Sequence, residues 1–435
     1  MARIWARSIA LTAAWLSVGV LAEEYEPERF ESPASLHVPA KLLSGPHHSV
    51  GEMVTTQGFM NHFTVQSTFG EFIAISNDEL AYRVREIRAI AILQDSSKTQ
   101  AFIDALAQTA QRPVETLKDL ARDPVETAKG IPDGVSRLFQ RTQRVASDSY
   151  EKLSEMMAQE EDQDGGESSE ESMLDSTLDA GESFAKEELG FNRARRQVAR
   201  ELHVDPYSRN PVFQEELGQM AWVVAGGSLA MGSVLPSLPS EVGALSDIND
   251  LVWDTDPLDL ELQNEEKLRA MGVRDDVIRT LYKSPFFTTT TRTRLVESLA
   301  KMGNIPGLPI LVEHATDVVE QDEARFFGGM GETLGFYHQN RAPIVRIIDT
   351  QSLPAAVNAN DQIIIILHLD FLTWTEVLHD FVDQVTAEIA DRAPGYGIEL
   401  WVEGKVSDLA RSNIYARKWT IHDQYRGRLG KSTQN

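Results

Sequence analysis

Apolar and polar residues alternate along Phe59–Ser67 and again along Glu71–Ser76, with Thr68-Phe69-Gly70 between them. A period of two broken by a turn-forming trio predicts a β-hairpin. The period then lengthens. Leu80, Val84, Ile87 and Ala91, with Leu93 beside them, fall near one helical face, and Arg83, Arg85, Glu86 and Arg88 supply charge. Asn77-Asp78 just ahead of this run predicts the helix start. Leu189–Arg200 reads as a helix with a basic face (Arg193, Arg195, Arg196, Arg200). His203-Val204-Asp205-Pro206 ends it, and Pro211 opens another. Residues 264–339 keep a helical pattern with breaks near Pro285 and Pro306. After that the character changes. Ile344–Ile348 and Ile363–Leu369 are short, nearly continuous apolar runs, and Ile398–Val402 and Trp419–His422 are further strand-length segments. Helical patterns over Trp374–Ile389 and Val406–Tyr415 separate them, so a small, partly parallel sheet is expected.

The expected fold class is α+β and multidomain: mainly helical, with an N-terminal β-hairpin unit and a small C-terminal α/β domain. Residues 1–22 carry Arg3 and Arg7, an apolar run from Ile9 to Leu21, and Val20-Leu21-Ala22 ahead of Glu23-Glu24. That layout predicts a cleaved signal peptide, because the run is shorter than the roughly 20 residues a membrane span needs. Residues 23–46, with Pro27, Pro33, Pro39 and Pro46, read as an irregular leader. Residues 47–152 read as a hairpin and helical domain. Inside them Pro113-Val114-Glu115-Thr116 recurs as Pro124-Val125-Glu126-Thr127. Each copy starts a short helix, since proline suits the first helical turn and breaks an interior. From Leu153 to Ala185 there are 11 acidic residues and no basic one, with Gly165-Gly166 and several serines. This stretch reads as a solvated linker. A helical domain over 186–340 and the α/β domain over 341–435 complete the order.

Composition narrows the function classes. The chain has 66 acidic and 41 basic residues, a formal charge of −25. Removal of the signal takes this to −27, because Arg3 and Arg7 leave with it. Such a chain is repelled by nucleic-acid phosphates and by anionic lipid. It contains no cysteine. Disulfides, thiol catalysis, thiolate metal sites and iron–sulfur clusters are thereby excluded, as is a lipid-anchoring cysteine behind the signal.

Candidate chemistry is sparse. Residues 160–171 can be laid on a calcium-binding loop. Glu160, Asp162, Asp164, Ser168 and Glu171 then supply oxygens at positions 1, 3, 5, 9 and 12, and Gly165 falls at the tight turn. Against calcium stand Glu160, where aspartate is usual, and Glu167, where an apolar anchor is usual. A solvated acidic tract is the plainer reading. Gly226-Gly227-Ser228-Leu229-Ala230 loosely matches a nucleophile elbow, with His422 following in order. The parallel strands that fold needs before its serine are not patterned here. Residues 217–240 carry no charge, and a buried helix or hairpin is expected there. Pro236 and Pro239 shorten any span, and no basic cluster flanks it. Glu376, His379, Asp380 and Asp383 share one helical face. They read as solvated, because a helical carboxylate metal site needs a second Glu-x-x-His helix. His47-His48 reads as a loop. Gly329-x-Gly331-x-x-x-Gly335 follows a helical pattern, so it is no dinucleotide fingerprint.

The proline repeat, the segment LHVDPYSRNPVFQEEL (202–217) and the ending IELWVEGKVSDLARSN with KWTI (398–413 and 418–421) resemble segments of signal-bearing exported bacterial proteins of no established activity. The resemblance implies export and carries no catalytic residue with it. The expected function is therefore that of an exported, non-enzymatic envelope interaction or scaffolding protein, located in the periplasm or outside the cell, with a protein partner and no cofactor identified. The alternative is a protein that engages membrane through residues 113–140 and 217–240. A divergent hydrolase or metal-dependent enzyme comes third.

Overall fold

A computed structural model describes residues 24–99, 101–104, 190–226, 247–350 and 352–425. The signal segment, the proline repeat, residues 113–140, the acidic tract with Glu160, Asp162, Asp164, Ser168 and Glu171, and residues 227–240 all lie outside the described residues. The fold is α+β, as the pattern of periods predicts.

The N-terminal unit is a six-stranded antiparallel sheet. Its strands are β1 (Arg29–Pro33), β2 (Ser44–Gly45), β3 (His48–Val50), β4 (Met53–Gln57), β5 (Met60–Ser67) and β6 (Gly70–Ile75). The expected hairpin is β5–β6, paired from Ser67↔Gly70 to His62↔Ile75. The irregular reading of residues 23–46 does not hold. Arg29–Pro33 pairs along its whole length with β4, and α1 (Ala40–Leu43) leads into β2. The prolines sit where they cost no ladder bond, at the end of β1 and ahead of α1. Likewise His48, read as loop, lies in β3. Between β4 and β5, Gly58 and Phe59 form a two-residue turn with φ of 57° and 68°. Paired positive φ values fit the primed turn that matches strand twist, although a phenylalanine there is unusual.

Helix α2 (Asn77–Ser97) starts where its sequence predicts, with Ser76 as N-cap accepting from the Glu79 N–H at 3.0 Å. Its apolar face, including Leu80, Val84, Ile87 and Leu93, packs on the sheet and on α3 (190–201) and α4 (Pro211–Ala225) in one core. Asn210 caps α4, and Pro211 occupies its first turn. That helix ends at Ala225, with Gly226 as an exposed C-cap. Trp222 is half-buried and packs at a tilt against Phe191, ring centroids 4.8 Å apart. Among the described residues no helix is long and apolar enough to cross a membrane.

The remaining helices are α5 (Asp247–Asp254), α6 (Pro257–Ala270), α7 (Asp275–Lys283), α8 (Thr289–Ala300), α9 (Pro309–Ala315) and α10 (Gln321–Asn340). The C-terminal sheet contains β7 (Ile344–Asp349), β8 (Pro354–Asn358), β9 (Gln362–Leu367), β11 (Gly397–Val402) and β13 (Trp419–Asp423). A short parallel pair, β10 (Phe371–Leu372) and β12 (Lys405–Val406), lies apart from it. Helices α11 (Glu376–Arg392) and α12 (Asp408–Ala416) are the last helices among the described residues. The five-stranded order is β13-β11-β9-β8-β7, with β9, β11 and β13 parallel. Strand β8 was not legible. It opens on a proline, is buried at every position, and so shows no alternation. Core packing also crosses the boundary expected at 340. Side chains from Leu268 through Tyr425 form one continuous cluster, which takes in Phe59 and Met60 from the N-terminal turn.

Candidate functional site

Strands β9 and β11 run side by side in register, Leu367 opposite Val402. The residues that follow, His368 and Glu403, therefore leave the sheet together at its carboxyl end. That end is where open parallel sheets ordinarily carry ligands. The Glu403 N–H donates to the Leu367 carbonyl at 3.2 Å, and the Gly404 N–H to that of Leu369 at 2.8 Å. Glu403 Oε2 meets His368 Nδ1 directly. From the opposite side comes Asp78, in the first turn of α2, its Oδ2 3.6 Å from His368 Nε2. The three ligand-type atoms all lie within 4.8 Å of one another. Side-chain exposure rises from 9% at His368 through 17% at Glu403 to 33% at Asp78, so the cluster opens along the Asp78 side.

Two glycines make this closeness possible. A β-carbon on Gly329 of α10 would overlap the His368 ring, and one on Gly404 would overlap the Asp370 carbonyl. Gly329→Ala would ordinarily favour a helix by up to about 1 kcal/mol. Here it is expected to destabilise by about 1–3 kcal/mol, because a buried ring must be displaced. Urea unfolding checks the sign, and a stabilised variant would contradict the contact.

Asp370 lies behind the cluster and is not a fourth ligand. Its Oδ2 accepts from the Asn61 N–H at 2.9 Å, and both oxygens accept from the Asn77 N–H at 3.1 Å. It ties the first turn of α2 and strand β5 to the β9 end. Asn61, fully buried, accepts from the Thr56 hydroxyl at 2.7 Å and donates to Asn77 Oδ1 at 3.0 Å. Burial pushes the Asp370 carboxyl up to about 7. The two N–H donors oppose this, and the neighbouring Asp78 and Glu403 carboxylates reinforce it.

The adjacent acid, Glu79, turns to a different task. Arg325 of α10 grips it through two bonds of 2.7 and 2.9 Å, and Arg83 adds one of 3.2 Å. The Ile75 N–H donates to it at 2.9 Å. Burial alone would raise this carboxyl, but Arg325, Arg83 and the Ile75 N–H outweigh it and hold it below its usual value. Arg83 continues to Glu86 at 2.7 Å, and Glu86 accepts from Asn210 at 2.9 Å. Nearby, Arg294 makes a forked pair with Glu332 at 2.7 and 2.8 Å and donates to the Tyr82 hydroxyl. Glu79, Tyr82, Arg83, Glu86, Arg294 and Arg325 line a cleft of about 100 Å³ between α2, α8 and α10. Arg325, Arg83 and Arg294 thus spend their charge on the protein's own carboxylates.

The other sequence candidates fall elsewhere. On α11, His379 lies 3.0 Å from Asp380 and 3.2 Å from Asp383, and Asp383 also meets Arg417. The Arg417 hydrogen bond holds the Asp383 carboxyl below its usual value, so this face, read from sequence as solvated, carries an ion pair. Gly331 and Gly335 let α10 approach Leu295 and Ser298 of α8, a packing role. His422 stacks on Trp401 at 4.3 Å and lies 3.5 Å from Glu399. The signal that sequence reading passed over is positional: His368 and Glu403 each directly follow a buried strand. Comparisons with protein-family models, with curated proteins and with solved structures find no match for this chain.

Proposed function

We propose that this is an exported envelope protein that acts by binding a protein partner and not by catalysis. One observation carries the reading. The carboxyl end of β9 and β11 is covered by the N-terminal unit. The Phe59 carbonyl accepts from the Asp370 and Phe371 N–H groups at 3.2 and 3.1 Å. The Glu26 carboxylate accepts from the Trp374 N–H and the Ser407 hydroxyl, both at 2.5 Å. Phe30 packs edge-on against Phe371 at 5.6 Å. An open α/β sheet that turns over a substrate keeps a crevice at this edge. Here that edge is filled by the protein's own chain. The charge of −25 sets nucleic acid aside as a partner.

A second reading, a metal-dependent enzyme, is favoured by the Asp78–His368–Glu403 set at the margin of that covered edge. The two are separated in the native host. Photo-crosslinking residues are placed at the exposed positions Tyr25, Ile73, Leu258 and Val345. At least one position is expected to give a discrete adduct in the envelope fraction. The binding reading is overturned if no position does so and the purified protein turns over ester, peptide or phosphoester probes.

A further inference from the structure

We propose that Asp78, His368 and Glu403 hold one divalent transition-metal ion, of the Zn²⁺ or Mn²⁺ class, as a clasp between α2 and the C-terminal sheet. The donor set argues for the metal class. An imidazole nitrogen with two carboxylates suits borderline Zn²⁺ and admits the harder Mn²⁺ through its carboxylates, whereas Ca²⁺ and Mg²⁺ take all-oxygen shells. A cysteine-free chain has no thiolate to offer a softer ion. The geometry argues for a built site. The donor atoms lie within 4.8 Å of one another on three separate segments of chain, with Glu403 at the Nδ1 edge of the imidazole and Asp78 at the Nε2 edge. His368 is more than nine-tenths buried and pressed on Gly329, so its ring has little freedom to turn away. Glu403 is fixed by the close approach of Gly404 to Asp370. Asp78 rides on the capped first turn of α2, which Asp370 anchors through the Asn77 N–H.

Charge argues in the same direction. Two carboxylates face one imidazole. A dication would neutralise this set. The plainer alternative is a protonated His368 shared between Asp78 and Glu403, and the experiment must separate the two. The opening on the Asp78 side leaves room for water to complete the coordination shell.

The test uses the whole mature chain, stripped with a chelator and titrated calorimetrically with Zn²⁺, Mn²⁺, Ca²⁺ and Mg²⁺. One equivalent of Zn²⁺ or Mn²⁺ per chain is expected, with neither Ca²⁺ nor Mg²⁺ binding at the same site. His368→Ala and Glu403→Gln should each weaken binding by at least about 100-fold, since even a lost supporting group costs up to that much and these are direct ligands. A Glu160→Gln, Asp162→Asn and Asp164→Asn variant should keep full affinity, which separates this site from the acidic tract. Pulsed EPR of the Mn²⁺-loaded wild type needs no variant, and should show nitrogen coupling from a directly bound imidazole. The proposal is overturned by absence of stoichiometric binding, by equal binding in the His368 and Glu403 variants, or by bound Mn²⁺ without nitrogen coupling. None of these outcomes depends on whether a protein partner is found.

Discussion

Glu79→Ala is expected to cost about 3–5 kcal/mol of stability, the loss typical of breaking a buried ion pair by removing one partner. The variant leaves Arg325 and Arg83 without the carboxylate that both share, and leaves the Ile75 N–H without its acceptor. The magnitude reflects mainly the cost of leaving the Arg325 guanidinium desolvated, since Arg83 keeps its 2.7 Å pair with Glu86, and not the net worth of the original pair. Asp95→Ala supplies the contrast on the same helix. Its pair with Lys98 has both side chains more than two-thirds exposed, and its removal should change stability by no more than about 0.5 kcal/mol. Urea unfolding followed by tryptophan fluorescence measures both. A Glu79→Ala cost below about 1 kcal/mol would show that the network does not hold α2 against α10. The pH dependence has a definite sign. The folded carboxyl is held below its unfolded value, so its contribution is present above the unfolded pKa and is lost as pH falls through the folded one.

What could be read from sequence divides along physical lines. Elements with one buried face were legible, because alternation or a helical stripe records that face. The β5–β6 hairpin and helix α2 are of this kind. Strand β1 was hidden by composition, since Pro27 and Pro33 suggested irregular chain while Phe30 alone marked an inward side. Strand β8 was hidden by the opposite cause, because Pro354–Asn358 is buried throughout and leaves no period. The covered carboxyl edge was not legible at all. It depends on Gly58-Phe59 adopting positive φ and reaching a loop some three hundred residues away along the chain. The cluster at Asp78, His368 and Glu403 was only half visible. Each residue stands at a recognisable helix start or strand end, but their convergence follows from the β9–β11 register and from Asp370 fixing α2. Asn77-Asp78 read as a helix start and nothing more. The Ser76-x-x-Glu79 spacing has the form of a capping box, but in the structure the Ser76 N–H donates to the Asn61 carbonyl, and Glu79 accepts from the Ile75 N–H and binds Arg325.

Asp370 gives the second large effect, and its sign is the reverse of that for Glu79. Its folded carboxyl titrates near 7, against about 3.9 in an unfolded chain. Between those values the folded state holds a proton that the unfolded state has released, so stability falls as pH rises from about 4 to about 7. The gap between the two titrations corresponds to about 4 kcal/mol at most. Asp370→Asn removes the titration and keeps an acceptor for the Asn61 and Asn77 N–H groups. The stability of the variant minus that of the wild type should therefore climb by up to about 4 kcal/mol between about pH 4 and about pH 8, then level off. Taking the difference cancels every other group that titrates alike in both proteins. The measurement is made in chelator, since a cation held by Asp78 and Glu403 would favour the ionised Asp370 and flatten the curve. A pH-independent difference would mean that Asp370 stays ionised throughout. In that case its bonds to Asn61 and Asn77 would outweigh both its burial and the two nearby carboxylates, and the carboxylate would hold the first turn of α2 equally well at every pH in that range.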